Sequence, residues 1–188
     1  MMVKSSTFPE LFSRRLLLNS LSFEDVDCIV KYANNENVSQ HTLNIPFPYV
    51  AQDAIGWIEM ALKGFDEGNH YVFAIRQKYN QEFIGGIGLR IEDPFDRAAM
   101  GYWLAEPFWN KGIVTEAVAC VLRYGFEALE LNKIYAHHTL ENPASGKVMI
   151  KNGMIKEGEM MEHFKKDGEY RNVAQYRMTK LEYDILLA

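Results

Sequence analysis

The chain is poor in cysteine. Its 188 residues carry two, Cys28 and Cys120, far apart. That spacing excludes a disulfide framework and the paired-thiol pattern of a zinc site, and leaves two reduced thiols packing as small apolar groups. Long hydrophobic runs are missing as well. Nothing approaches the ~20 apolar residues of a membrane span. After Arg14 and Arg15, the run Leu16, Leu17, Leu18 ends at Asn19 and is too short for the apolar part of a secretory signal. A basic excess is also lacking: 20 Lys and Arg stand against 25 Asp and Glu, a formal net charge of -5. That balance argues against a nucleic-acid surface and gives no polybasic membrane anchor. No repeat or low-complexity linker divides the chain. The length suits a single domain over residues 1–188, expected to be cytoplasmic and a monomer or homodimer, with neither nucleic acid nor membrane as partner.

What is present alternates between two periodicities. Arg14 to Asn19 reads as a strand, and Ser22 caps a helix that carries Val26, Ile29 and Val30 on one face. Pro46 and Pro48 break regular structure, and a second helix fits Ala51 to Phe65. HYVFAIRQK and EFIGGIGLRIED read as a hairpin around Tyr79-Asn80-Gln81, followed by the aromatic strand RAAMGYWLA. A helix then runs to about Glu130, with Val114, Val118, Val121, Leu122, Phe126 and Leu129 in one stripe. KIYAHHTL reads as a strand, Asn142-Pro143 as the start of a helix, and Asn152-Gly153 as its end. Asp167-Gly168 joins two last strands. The class is α/β, with one βαβ passage between Trp103 and Thr139 and a ligand site expected where that passage begins.

At that point stands WNKGIVTEAV, with one glycine at the mouth of a helix. A helix N-terminus offers unpaired N–H groups and partial positive charge, which suits a phosphate. Gly112 lets the backbone approach without a Cβ, Lys111 adds a charge and Thr115 a hydroxyl, whereas Glu116 repels an anion. The same glycine also fits an ordinary strand-to-helix corner. A dinucleotide fingerprint at GGIGLR is rejected, because Ile91 occupies the third glycine position and the segment reads as a strand.

The order of these segments resembles the GNAT superfamily of N-acetyltransferases, and within it the branch of ribosomal-protein alanine and serine N-acetyltransferases. The resemblance covers nearly the whole chain. It rests on RRLLLNSLSFEDVD, IPFPYVAQDAIGWI, GGIGL and, above all, GYWLAEPFWNKGIVTEAV followed by YGFEALELNKIYAHHTLENPASGKVMIKNGM. It implies a mixed, mostly antiparallel twisted sheet of about seven strands flanked by about four helices. The family's phosphate motif, Q/R-x-x-G-x-G/A, falls on Trp109, Asn110, Lys111, Gly112, Ile113 and Val114. The central glycine is kept. Trp109 and Val114 depart from the pattern, and Val114 questions the geometry of the loop.

The resemblance implies acetyl-CoA as co-substrate and no metal. Its pyrophosphate is expected on the N–H groups of Lys111 to Thr115, with Asn110, Ile113 and Val114 in the same turn. Its pantetheine arm is expected beside Tyr102, Trp103 and Leu104, with a hydrogen bond from Asn142, which also serves as a helix cap. Many members protonate the leaving thiolate from a tyrosine on the helix after the fifth strand. NPASGKVMIKNG has none, so Ser145 takes that place, donating directly or through a water. Glu92 is the candidate base through water, against the plain reading of a solvated strand end. Phe47, Tyr49, Trp103 and His138 are candidates for the acceptor wall. His137 and His138, adjacent on one strand, point to opposite faces and cannot jointly chelate a metal. The expected reaction is direct attack of a primary amine on the thioester, with a protein or peptide N-terminus as acceptor. The competing readings are a small amine or antibiotic acceptor, and a CoA-binding regulatory domain without turnover.

Overall fold

The computed structural model describes residues 7–188. Eight strands form one sheet in the order β1-β2-β3-β4-β5-β6-β8-β7. They are β1 (Leu11–Phe12), β2 (Leu16–Ser20), β3 (His70–Gln77), β4 (Phe83–Glu92), β5 (Arg97–Leu104), β6 (Lys133–Thr139), β7 (Ile155–Lys166) and β8 (Glu169–Thr179). The helices are α1 (Val26–Ala33), α2 (Glu36–Gln40), α3 (Ala51–Glu67), α4 (Ile113–Arg123), α5 (Pro143–Lys151) and α6 (Lys180–Leu187). The elements beyond the expected seven strands and four helices are β1, α2 and α6. α6 begins with a capping box, Thr179 and Glu182, a local signal that the strand pattern before it obscures. The expected helix to Glu130 ends as α4 at Arg123 and continues as one π-helical turn, Tyr124–Ala128. Among the described residues no helix is long and apolar enough to cross a membrane.

The alternation of side chains along the strands sorts the core into two layers. Leu16, Leu18, Phe73, Ile75, Ile87 and Leu89 pack against the α4 stripe of Ala117, Val118, Val121 and Leu122. On the opposite face Leu21, Val72, Ala74 and Phe83 pack against Ile29 and Ala33 of α1 and Ala54, Ile58 and Ala61 of α3. Every pairing is antiparallel except β5 with β6, the pair that α4 connects as a crossover. That pairing stops at Met100↔Ala136, although β5 runs on to Leu104 and β6 to Thr139. Beyond this point β5 keeps β4 on one side and β6 keeps β8, so the two strands part and a slot opens through the sheet. The main chain of β5 from Gly101 to Leu104 has no strand partner on its β6 side, which leaves backbone groups facing the slot.

Candidate active site

A cleft of about 1220 Å³ occupies the slot and reaches both faces of the sheet. On the helical side of α4 and α5 it is lined by Tyr102, Leu104, Gly112, Asn142 and Ser145, and on the α3 side by Tyr49, Trp57, His70, Arg90 and Trp103.

The turn into α4 carries two left-handed residues, Asn110 at φ 59 and Gly112 at φ 73. A Cβ on Gly112 would meet nothing nearer than Arg15 Nη2 at 3.7 Å, so its glycine is required by backbone conformation and not by crowding. Gly112 is the N-cap of α4, and no side chain among the described residues caps this helix. Its first N–H groups therefore stand open, and Gly112, Ile113, Val114 and Thr115 all line the cleft. Val114 does not disturb the turn: it is a regular helical residue whose side chain packs against the core. An open, uncapped helix terminus at the edge of a large cleft fits a pyrophosphate.

The objection posed by Glu116 is met by residues far away in sequence. Ser13 Oγ (2.6 Å), Arg15 N (2.8 Å) and Arg15 Nε (2.6 Å) all donate to the Glu116 carboxylate. Burial pushes this carboxyl up, but those donors together outweigh it and hold it below the ordinary glutamate value. Arg15 also donates from Nη1 to the Lys111 carbonyl at 3.0 Å, so one arginine neutralises Glu116 and braces the loop. Nothing local in the sequence marks the partner of Arg15 one hundred residues on. The Lys111 side chain differs from expectation. Its ammonium donates to the Pro107 carbonyl at 2.7 Å and lies over the Phe108 ring, lining a smaller basic pocket with Arg14 and Arg15, outside the main cleft. Trp109, at the first motif position, plays a structural part. Its indole N–H donates to Leu104 O at 2.7 Å and ties the loop to the end of β5.

On α5, Asn142 Oδ1 accepts from Ser145 N at 3.3 Å, which is the expected cap. Asn142 lines the cleft. Ser145 Oγ lies 2.7 Å from the Tyr102 hydroxyl.

Two expected site residues lie outside the cleft, and a third lines a different wall from the one expected. Glu92 is outside the cleft, at the end of β4 remote from the slot, where it pairs in register with Arg97. Its carboxylate accepts from Tyr135 Oη and Arg97 Nε, both at 2.5 Å, and these bonds hold its pKa below the usual value. A carboxylate so engaged is a structural ion pair and a poor base, which removes it as a candidate. Phe47 is half exposed and does not line the cleft. His138 lines the cleft on the α5 side, its ring tilted at 5.5 Å from that of Tyr176, and not on the α3 side with Tyr49 and Trp103. Its neighbour His137 shares the face of Ala99, opposite α5, because Ala99 is in register with Tyr135, two residues before it. Burial lowers the pKa of His137, and burial together with Arg90 lowers that of His70. Both imidazoles on this wall are therefore neutral at pH 7.

Tyr49 and Trp103 do line the α3 side. Trp103 sits 6.1 Å from the Trp57 ring and 5.8 Å from Phe83, and Tyr49 is buried in the same cluster. The rim of this side is built by a clamp. Lys166, at the tip of the β7–β8 hairpin, donates to the carbonyls of Ser39, Thr42 (2.6 Å) and Ile45 (3.3 Å), holding the segment that leads to Tyr49 against the hairpin. Trp57, His70, Arg90 and Lys166 carry no signal in the sequence. Trp57 falls within IPFPYVAQDAIGWI and Arg90 within GGIGLR, but neither stretch gives them a role in a site, and only the fold gathers the four.

The family model for the acetyltransferase (GNAT) domain matches residues 15–155. The chain is 33% identical over 174 residues to the uncharacterized N-acetyltransferase p20 of Bacillus licheniformis, covering 92% of this chain and 97% of that one. It is 28% identical over 126 residues to the ribosomal-protein-serine acetyltransferase of Escherichia coli, covering 66% of this chain and 69% of the relative. To the spermidine N(1)-acetyltransferase of Vibrio cholerae it is 25% identical over 170 residues, covering 90% and 95%. An acetyltransferase structure from Bacillus anthracis superimposes with a TM-score of 0.82 at 21% identity, covering 92% of this chain and 99% of that one. With parted strands, an uncapped glycine turn and a match over most of its length, the chain belongs to the GNAT family of acetyltransferases.

Proposed function

We propose that this N-acetyltransferase acts on the α-amino group of a protein or peptide N-terminus, ahead of lysine side chains and small polyamines. Acetyl-CoA is the acyl donor, as throughout the family. The observation that carries the acceptor class is the scarcity of carboxylates in the cleft. Asp53 is the one acidic residue among the described residues that line it, and its Oδ2 accepts from Val50 N at 2.8 Å. A polyamine presents several cations and needs several carboxylates to replace their water. Here the α3 side offers aromatic walls, Arg90 and two neutral imidazoles, surfaces suited to the first side chains of an extended peptide. The E. coli relative acting on a ribosomal protein supports the same class.

The chemistry agrees. Attack requires a neutral amine, and an α-amine of pKa ~7.7–8.0 is neutral at pH 7 in roughly one molecule of ten, whereas a lysine of pKa ~10.4 is neutral in fewer than about one of a thousand. With Glu92 outside the cleft, Asp53 is the only carboxylate among the described residues that line it, and its Oδ2 is taken by Val50 N, so an amine that loses its proton readily needs the least help. Ser145 assists the departing sulfur, and main-chain groups on the unpaired edge of β5 stabilise the oxyanion.

A competition decides between these acceptors: a peptide with a free N-terminus and an internal lysine is set against its N-terminally blocked twin, with mass spectrometry locating the acetyl group. Transfer to the free α-amine is expected, with little to the blocked twin. Equal acetylation of the lysine in both would overturn the ordering, and transfer to spermidine alone in a parallel panel would assign the small-amine class.

A further inference from the structure

Tyr102 rises from β5 toward α5, and its hydroxyl lies 2.7 Å from Ser145 Oγ and 3.2 Å from the Ser145 carbonyl oxygen. The phenol has one hydrogen and two acceptors to choose between. If it donates to the carbonyl, the serine hydrogen turns back to the phenol oxygen and is spent. If it donates to Oγ, the serine hydrogen is released into the cleft that both residues line.

We propose that Tyr102 is a positioning residue for acetyl transfer: by donating to Ser145 Oγ it aims the single Ser145 hydrogen at the sulfur that leaves. This deepens the reading above and rests on the role of Ser145 there. As the amine nitrogen bonds to the carbonyl carbon, the C–S bond breaks and its electron pair stays on sulfur. Ser145 donates a hydrogen bond to that thiolate and keeps its proton, because an alcohol holds a proton far more tightly than a thiol of pKa ~8.5. The proton that neutralises sulfur is the one nitrogen loses, carried by water. The serine thus stabilises charge, which demands direction more than acidity.

The surroundings hold the pair in place. Ser145 N donates to Asn142 Oδ1 and, at 3.2 Å, to Asn142 O, which fixes the first turn of α5. Beneath that turn lies His138, whose Nδ1 donates to the Thr139 carbonyl at 2.8 Å and whose buried Nε2 has no partner among the described residues. A Cβ on Gly146 would stand 2.6 Å from this Nε2, so α5 rests directly on β6 and sets the height at which Ser145 meets Tyr102. Burial pushes the Tyr102 phenol up to about 12, a shift its bond to Ser145 only partly offsets, so it remains a donor at working pH.

The experiment is a double-mutant cycle of Tyr102→Phe and Ser145→Ala. kcat and both KM values are read by thiol release with whichever amine of the panel above reacts fastest, and acetyl-CoA affinity is measured by direct titration. Phenylalanine keeps the ring packing, and an unfolding temperature checks each variant. Each single change is expected to lower kcat about tenfold with acetyl-CoA affinity within about twofold of wild type, and the double variant to be no slower than Ser145→Ala alone. Wild-type kcat in Tyr102→Phe beside a loss in Ser145→Ala would remove the tyrosine's role alone. Wild-type kcat in Ser145→Ala would remove the serine's role and this proposal with it. Fully additive losses would show two independent residues and overturn the coupling.

Discussion

The two walls of the cleft are built on different principles. The wall toward α4 and α5 comes from one stretch of chain, Tyr102 to Ser145, and works largely through main chain: an uncapped helix terminus and an unpaired strand edge. The wall toward α3 draws Tyr49, Trp57, His70, Arg90, Trp103 and His137 from separate elements and works through side chains. A site made of backbone requires only a turn of the right shape, and many sequences supply that. A site made of side chains must be assembled residue by residue, and it can change acceptor without disturbing the donor. The names of two relatives point to different acceptors, a ribosomal protein and spermidine.

The sharpest way to break this comparison is Gly112→Asp. The substitution places a carboxylate where the pyrophosphate is expected and a Cβ on a φ of 73. Acetyl-CoA affinity is expected to fall about 100-fold, the equivalent of losing about 3 kcal/mol of charge-assisted hydrogen bonding. Titration calorimetry measures it, and the backbone strain of about 1–2 kcal/mol leaves the protein folded. Unchanged affinity in the folded variant would move the donor site away from this turn.

Lys166→Met tests the opposite wall. It removes the clamp on the 39–45 segment and leaves the donor turn untouched. KM for the acceptor is expected to rise about fivefold, equivalent to about 1 kcal/mol of positioning energy, while acetyl-CoA affinity stays constant. A parallel loss of acetyl-CoA affinity would show that the walls are not independent.

The last test concerns the brace, and it reads stability instead of binding. Glu116 has a lowered pKa in the fold, so its contribution to stability is present above its unfolded value of about 4.3 and is lost as pH falls through the folded value. Glu116→Gln is expected to destabilise the protein by about 1–2 kcal/mol at pH 7. The gap in unfolding temperature between variant and wild type is expected to close as pH drops below about 4. A gap that persists unchanged in acid would mean that Glu116 acts through packing and not through its charge.

Much of this molecule is legible in one dimension. The strands and helices from Leu16 to Thr179, α2 excepted, follow from periodicity, the Asp167-Gly168 turn from its dipeptide, and the α4 turn from Gly112. Each of these signals is local, because backbone conformation depends on neighbours a few residues away. Ser145 stands out only through the family resemblance, as the hydroxyl where other members carry a tyrosine. What the tertiary structure alone decided is which charges are free. Glu92 looks available at a strand end and is held by Tyr135 and Arg97, Glu116 looks like an obstacle and is neutralised by Arg15 and Ser13, and Lys111 points to Pro107. Partners from distant elements settle such questions, because the energy of a charge depends on which donors and how much water surround it in space, and sequence separation carries no information about either.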